Sequence, residues 1–138
     1  MIDKNFTDTE VKNLVRVTDC FVSLHRSEGY GRGLAEAMFF GKPVICTGYS
    51  GNMDFTTAET ALLVDYKLIP LLKDEYPFWD GQNWADPDVE QASMHMQRVY
   101  EDPAFARELG RKASLKIRTE FGYRATGARY MNRIRNFI

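Results

Sequence analysis

Cysteine, net charge and long apolar runs are all scarce in this sequence, and each scarcity removes a class of function. Only Cys20 and Cys46 are present, each inside an apolar stretch (Cys20-Phe-Val-Ser-Leu24 and Pro43-Val-Ile-Cys46). Free cysteine is among the most buried residue types, so the expectation is two core thiols rather than a disulfide. No zinc-type spacing occurs and no metal-ligand cluster is visible. Eighteen basic residues stand against nineteen acidic ones, a formal charge of −1. That balance gives no general attraction to nucleic acid or to an anionic membrane. No run approaches the roughly 18 apolar residues of a membrane span. The first residues lack a charged stretch followed by an apolar one, so no signal peptide is read and a cytoplasmic location is the expectation. Internal repeats and low-complexity tracts are absent as well.

What is present is ordinary for a globular chain: 44% hydrophobic and 27% charged residues over 138 positions, read as a single domain 1–138. Val11, Leu14, Val15 and Val17 among polar neighbours predict a short amphipathic helix over 8–18, with Thr9 or Asp8 as its cap. Asp19–Leu24 reads as a buried parallel strand. Leu34–Phe40 is helix-forming, with Gly41 as its stop and Pro43 beyond. Pro43–Cys46 and Thr60–Val64 supply two further strands, separated by a turn over 47–52 and a short helix over 51–58. Strands and helices alternating at this spacing imply a parallel sheet with right-handed crossovers. Regularity is lost over 65–87, an irregular loop carrying Tyr66, Tyr76, Phe78, Trp79 and Trp84. Such a long loop in a compact domain is usually functional or mobile, and its aromatics argue against disorder. Helices are expected at 88–101, 103–120 and 123–137, with Asp88 and Asp102 or Pro103 as start signals and a break at Gly122. The fold class is therefore α/β: a partial Rossmann-like parallel sheet with flanking helices and a helical C-terminal tail.

The stretch with chemical content is Ser23-Leu-His-Arg-Ser-Glu-Gly-Tyr-Gly-Arg-Gly-Leu-Ala-Glu-Ala-Met38. It places a glycine-rich turn at the carboxyl edge of a parallel strand, where open α/β sheets bind ligands. The turn feeds a helix whose first N–H groups lack partners and favour a phosphate. Gly29, Gly31 and Gly33 allow unusual backbone angles and close approach by a ligand, yet they do not form the dinucleotide G-x-G-x-x-G, and no P-loop is present. Two carboxylates bracket the turn: Glu28 before it and Glu36 in the expected first turn of the helix. Lone glycine-rich turns are weak signals; flanking glutamates at this spacing make the signal specific.

Glu28 and Glu36 stand in the E-x7-E arrangement of retaining, GT-B-fold glycosyltransferases, and the chain resembles glycosyltransferase family 4. The likeness extends through VSLHRSEGYGRGLAEAMFFGKPVICTGYSGNMDF, LLVDYKLIPL and WADPDVEQASMHMQRVYEDPAFARELGRKA, covering nearly all of 8–138. The resemblance implies transfer of a sugar from a nucleotide diphosphate to a saccharide or lipid-linked acceptor with retention at the anomeric carbon, as in polysaccharide biosynthesis. It implies that Glu28, the catalytic candidate, lies beside the transferred sugar and hydrogen-bonds its hydroxyls. Donor binding falls to Gly29, Tyr30, Gly31, Arg32, Gly33, Leu34 and Ala35, whose main-chain N–H groups would meet the diphosphate and sugar, and to Glu36, which would hold the ribose hydroxyls. A carboxylate suits that task because it accepts from two vicinal hydroxyls at once. The nucleotide sugar is a substrate, and neither a cofactor nor a metal is expected.

Other residues keep two readings. Arg32 is less usual at its place in the motif and is either a phosphate contact or a solvated side chain. His25, Tyr49 and Ser50 are further candidates near the donor, with a structural histidine and an ordinary strand–helix turn as the alternatives. Trp79 and Trp84 serve either packing or sugar stacking. The arginines and lysines from Arg107 to Arg135 form a solvated helical face or a phosphate or lipid-headgroup surface, so peripheral membrane contact stays open. The Gly48-Tyr-Ser-Gly-Asn-Met53 loop is similar to that of bacterial polysaccharide and mannosyl-type members.

By the same resemblance a complete enzyme has two Rossmann-like domains, with the donor on the second and the acceptor largely on a preceding N-terminal one. These 138 residues correspond to part of the second domain, a truncated donor half-site expected to show weak or no transfer alone. Tyr130, Met131, Ile134 and Phe137 then form an apolar face with no partner domain, and a homodimer through it is one expectation. The competing reading is a non-catalytic α/β module that binds a nucleotide or a protein.

Overall fold

In the computed structural model, which describes residues 3–137, the elements run α1 (Asp8–Val17), β1 (Phe21–Ser23), α2 (Arg32–Phe39), β2 (Val44–Thr47), β3 (Leu62–Val64), β4 (Tyr66–Pro70), β5 (Asn83–Pro87), α3 (Val89–Glu101), α4 (Pro103–Glu120) and α5 (Tyr123–Arg135). Strands β1, β2 and β3 form a parallel sheet in that order, with Val22 opposite Ile45 and Cys46 opposite Leu63. The α/β parallel-sheet expectation is met, and the helical tail is present.

Strand β2 lies in the middle of this sheet and all four of its residues are buried. Its alternation assigns the two faces. Val44 and Cys46 join Leu34, Ala37, Met38, Phe55, Ala113 and Ile117 on one side. Ile45 joins Leu62, Val64, Ala92, Val99 and Leu109 on the other. Helix α4 contributes to both clusters, which explains its length: Ala106 and Leu109 serve one face and Ala113 and Ile117 the other.

Helix boundaries follow local chemistry. The cap of α1 is Thr7, not Thr9 or Asp8: its hydroxyl accepts from the Glu10 N–H while the Glu10 carboxylate accepts from the Thr7 N–H at 2.8 Å, a closed capping box. Asp88 and Asp102 cap α3 and α4 as expected. Helix α2 begins at Arg32 rather than at Leu34, because Gly33 continues the helix instead of the turn. A Cβ at Gly33 would lie 3.1 Å from the Phe21 ring, so the bare glycine lets the first turn of α2 settle onto β1. At its other end α2 closes in a Schellman motif: Lys42 N–H donates to Ala37 O, Gly41 N–H to Met38 O, and Gly41 takes φ 73°.

The stretch 65–87 is corrected from an irregular loop to a β-hairpin. Strands β4 and β5 pair antiparallel from Tyr66 opposite Pro87 to Pro70 opposite Asn83, leaving only 71–82 as loop. The short helix expected over 51–58 is a 3-10 turn, Gly51–Asp54. Helix α5 buries none of its described residues, and Tyr130, Met131, Ile134 and Phe137 are exposed. Among the described residues no helix is long and apolar enough to cross a membrane. Both thiols are free, Cys46 buried and Cys20 half-buried.

Candidate functional site

Three segments leave the carboxyl ends of β1, β2 and β3: His25–Gly31, Gly48–Asn52 and the hairpin. The first two are stitched together. Ser50 Oγ accepts from the Glu28 N–H at 2.9 Å and donates to the Glu28 carbonyl. Gly51 N–H donates to the same carbonyl at 3.0 Å. Gly51 must be glycine, because a Cβ there would collide with the Gly29 carbonyl. The main chain of Glu28 is thus fixed by the loop after β2.

His25 reinforces the seam. Its Nε2 lies 3.1 Å from Tyr49 O and 3.0 Å from Asn52 Oδ1, while Nδ1 lies 3.3 Å from Ser23 Oγ. Both partners of Nε2 are acceptors, so Nε2 carries the proton and Nδ1 accepts from the serine hydroxyl. Asn52 is fully buried, and its amide donates to Thr47 O and Thr56 Oγ1, both at 3.1 Å. That pattern requires its oxygen to face His25. The ring joins the two loops.

The start of α2 sits beside this seam. Gly31 is its N-cap, at φ 87° and ψ 50°, a left-handed conformation open to glycine. The space is closed as well: a Cβ at Gly31 would meet Leu34 Cδ1 at 3.1 Å and Asn52 Cβ at 3.3 Å. Of the turn's three glycines, Gly31 is the one at a left-handed angle. Ala35 N–H donates to Gly31 O at 3.0 Å, the first bond of the helix. The side chains of Leu34 and Ala35 are buried in the core. The N–H groups of Arg32, Gly33 and Leu34 precede the first intrahelical bond and have no acceptor among the described residues. Here the partial positive end of the helix dipole is concentrated.

Glu36 falls in the second turn of α2 and not the first as expected, because the helix starts two residues earlier. Its side chain is 33% exposed and its carboxylate stands 3.5 Å from Arg32 Nε, one turn back along the same face. Arg32 itself is 85% exposed. Tyr30 packs its ring on Phe55, centroids 5.1 Å apart, and stays exposed. Tyr49 packs on Tyr66 of the hairpin at 4.9 Å.

Glu28 and Gly29 also line a cleft of about 570 Å³ whose opposite wall is the hairpin. Glu36 is not part of that wall; it stands at α2 with Arg32. Sequence reasoning missed Gly51 and Asn52, and missed the hairpin as a wall. The signal for Gly51 is a glycine just after a strand edge, where another backbone approaches. Asn52 offered none beyond its place in the turn.

Residues 4–116 match the model of the family described as Glycosyl transferases group 1. The chain belongs to that family. Among curated proteins none matches it. The glycosyl transferases group 1 match takes in the whole sheet, the Glu28 turn, α2, the hairpin and most of α4. A general glycosyltransferase-type function follows from membership.

Proposed function

We propose that this chain forms the donor side of a retaining glycosyltransferase that uses a nucleotide-diphosphate sugar. The observation carrying the reading is the start of α2, where the unpartnered N–H groups of Arg32, Gly33 and Leu34 lie between Glu28 and Glu36 at the carboxyl edge of a parallel sheet. Fixed N–H dipoles of this kind stabilise charge that builds on a departing diphosphate without having to reorganise. In the proposed reaction the bond from the anomeric carbon to the diphosphate oxygen breaks and its electron pair leaves with the diphosphate. An acceptor hydroxyl oxygen bonds to that carbon from the same face, and its proton passes to the departing phosphate oxygen. Glu28, its backbone anchored by Ser50 and Gly51, accepts hydrogen bonds from sugar hydroxyls. Glu36 accepts from the ribose hydroxyls once Arg32 turns from it to the diphosphate. That exchange needs little energy, because an exposed pair at 3.5 Å contributes on the order of 0–1 kcal/mol.

Thermal shift with uridine, guanosine and adenosine diphosphates tests this. Stabilisation by one of them is expected, since a ligand at a hundred times its Kd adds about 2.7 kcal/mol to the folded state. Glu36→Ala should abolish that shift, and the 2′,3′-dideoxy nucleotide should bind the parent chain as weakly as the ribose nucleotide binds the variant. Silence toward all three nucleotides would remove the donor reading in favour of a non-catalytic module.

A further inference from the structure

We propose that the cleft between the Glu28 turn and the hairpin binds a neutral pyranose ring, with the hairpin loop as its selective wall. The proposal deepens the donor-site reading, on which it rests for placing reacting groups beside Glu28. Arg26, Glu28, Tyr76, Phe78, Gln82 and Trp84 line the cleft. Aromatic surface, a side-chain amide and a carboxylate together match a ring with apolar C–H faces and hydroxyl edges.

Charge decides against an anionic occupant. The cation of the wall, Arg26, is committed: its Nη2 lies 3.1 Å from Asp86 Oδ1, and its guanidinium lies 4.8 Å from the Trp84 ring centroid. Glu28 has no ion-pair partner among the described residues. A phosphate in the cleft would face that carboxylate with no uncommitted cation, whereas sugar hydroxyls would donate to it. Phosphate and sugar are thereby separated, the first to the start of α2 and the second to the hairpin side of Glu28.

The hairpin is held in place as a wall. Ala85 N–H donates to Arg26 O at 2.9 Å, and Asp88 N–H to Asp65 O at 2.8 Å, so β5 is tied down at its middle residue and just past its end. The hairpin carries features that the fold itself leaves unused. Phe78 is 92% exposed and sits at φ 58°, an angle that disfavours a bulky side chain. Trp84 Nε1 is buried with no acceptor among the described residues. Exposed aromatic surface held at a strained angle, lining the same cleft as a residue with an unpaired donor, fits a ligand wall better than packing.

The hairpin also supplies its own probe. Trp79 and Trp84 are the tryptophans of the sequence and both belong to this segment, so intrinsic emission reports on it alone. The full 138-residue chain, with Trp79→Phe to isolate Trp84, is titrated with glucose, galactose, mannose, N-acetylglucosamine and their α-linked disaccharides. Parallel titrations use UDP-glucose, GDP-mannose, ADP-glucose and the corresponding diphosphates. Saturable emission changes are expected with a neutral saccharide or with a nucleotide sugar, and none with the diphosphate alone. A response to free saccharide in the presence of bound nucleotide sugar assigns the ring to the acceptor; a response to the nucleotide sugar only assigns it to the donor. Tyr76→Ala with Phe78→Ala, both exposed positions, should weaken that binding about tenfold or more at unchanged melting temperature. Unchanged emission with every saccharide and nucleotide sugar overturns the proposal, as does full affinity in the double variant. Calorimetry with the diphosphates is independent of it: nucleotide binding with a silent hairpin sinks the cleft and leaves the donor site, and a responsive hairpin without nucleotide binding does the reverse.

Discussion

The hydroxyl of Ser50 grips both main-chain polar atoms of Glu28, accepting from its N–H at 2.9 Å and donating to its carbonyl. Ser50 does so from φ 78° and ψ −153°, a region that glycine alone occupies without strain. A residue held there against its own preference shows how strongly the two loops determine each other. The main chain from which the Glu28 carboxylate projects is therefore held by the loop after β2.

Replacing that hydroxyl separates anchoring from strain. Ser50→Ala keeps the disfavoured angle and loses both contacts, and about 1–3 kcal/mol of stability is expected to go with them. Ser50→Gly loses the same contacts but relieves the angle, so it should unfold at a higher denaturant concentration than Ser50→Ala. Both variants should lose affinity for a nucleotide sugar relative to the matching diphosphate, because the sugar-facing group has come loose. Equal losses for the two ligands in calorimetry would show that Ser50 acts only on the fold.

Much of this arrangement is legible in the sequence, and the failures have physical causes. The parallel strands and the helices follow from hydrophobic period and from caps such as Asp88, Asp102 and Gly41. The start of α2 was misplaced because Gly33 reads as a turn residue, whereas the Phe21 ring beneath it is what calls for glycine. The hairpin stayed hidden because its strands are short, exposed and ended by Pro70 and Pro87, which edge strands tolerate and propensity rules penalise. Glu28 and Glu36 are visible as a spaced pair, but that Ser50 and Gly51 hold the first of them, and that His25 joins the same two loops, depends on contacts 22 or more residues apart. Spacing within one segment carries no trace of such contacts.

Arg32 is expected to matter for binding and not for folding. Its side chain is 85% exposed and its pairing with Glu36 is long. Arg32→Ala should change stability by no more than about 0.5 kcal/mol. Nucleoside diphosphate should bind about three- to tenfold more weakly, with the deficit shrinking as salt is raised, while binding of the bare nucleoside stays the same. A gain in diphosphate affinity would instead identify Arg32 as a residue that merely covers Glu36.

Gly110 of α4 packs directly on the turn that closes α2. A Cβ there would collide with the Gly41 carbonyl and lie 2.8 Å from its carbon. Just along the same interface, Ser114 Oγ and Arg118 Nη2 donate to Phe39 O at 3.1 and 2.9 Å, serving a carbonyl at the end of α2. Gly110→Ala must push the helices apart and strain those bonds, with an expected loss of about 1–3 kcal/mol. Gly127→Ala is the control, since nothing lies within 4 Å of its added methyl and the helix gains propensity. Urea denaturation should show the first variant less stable and the second equal to the parent or better. Equal midpoints for Gly110→Ala and the parent would mean that α4 does not dock as closely as described.

The thiols give the chain a pH dependence of definite sign. Burial pushes both Cys20 and Cys46 up from 9.0 to about 11, with the Asn52 and Thr56 side chains beside Cys46 offsetting only part of the cost. Ionisation is thus easier in the unfolded chain than in the folded one. The contribution of each thiol to stability is complete below pH 9, where both states are protonated, and is lost as pH rises through about 11. Because lysines and tyrosines also titrate there, the measurement is a difference: unfolding free energy at pH 7.5 and at pH 10.5 for the parent and for Cys20→Ala with Cys46→Ala. The parent should lose more stability between the two pH values than the double variant. Rapid alkylation by iodoacetamide at neutral pH, in the folded chain, would contradict the burial on which this rests, because the reactive thiolate is then scarce and Cys46 is enclosed.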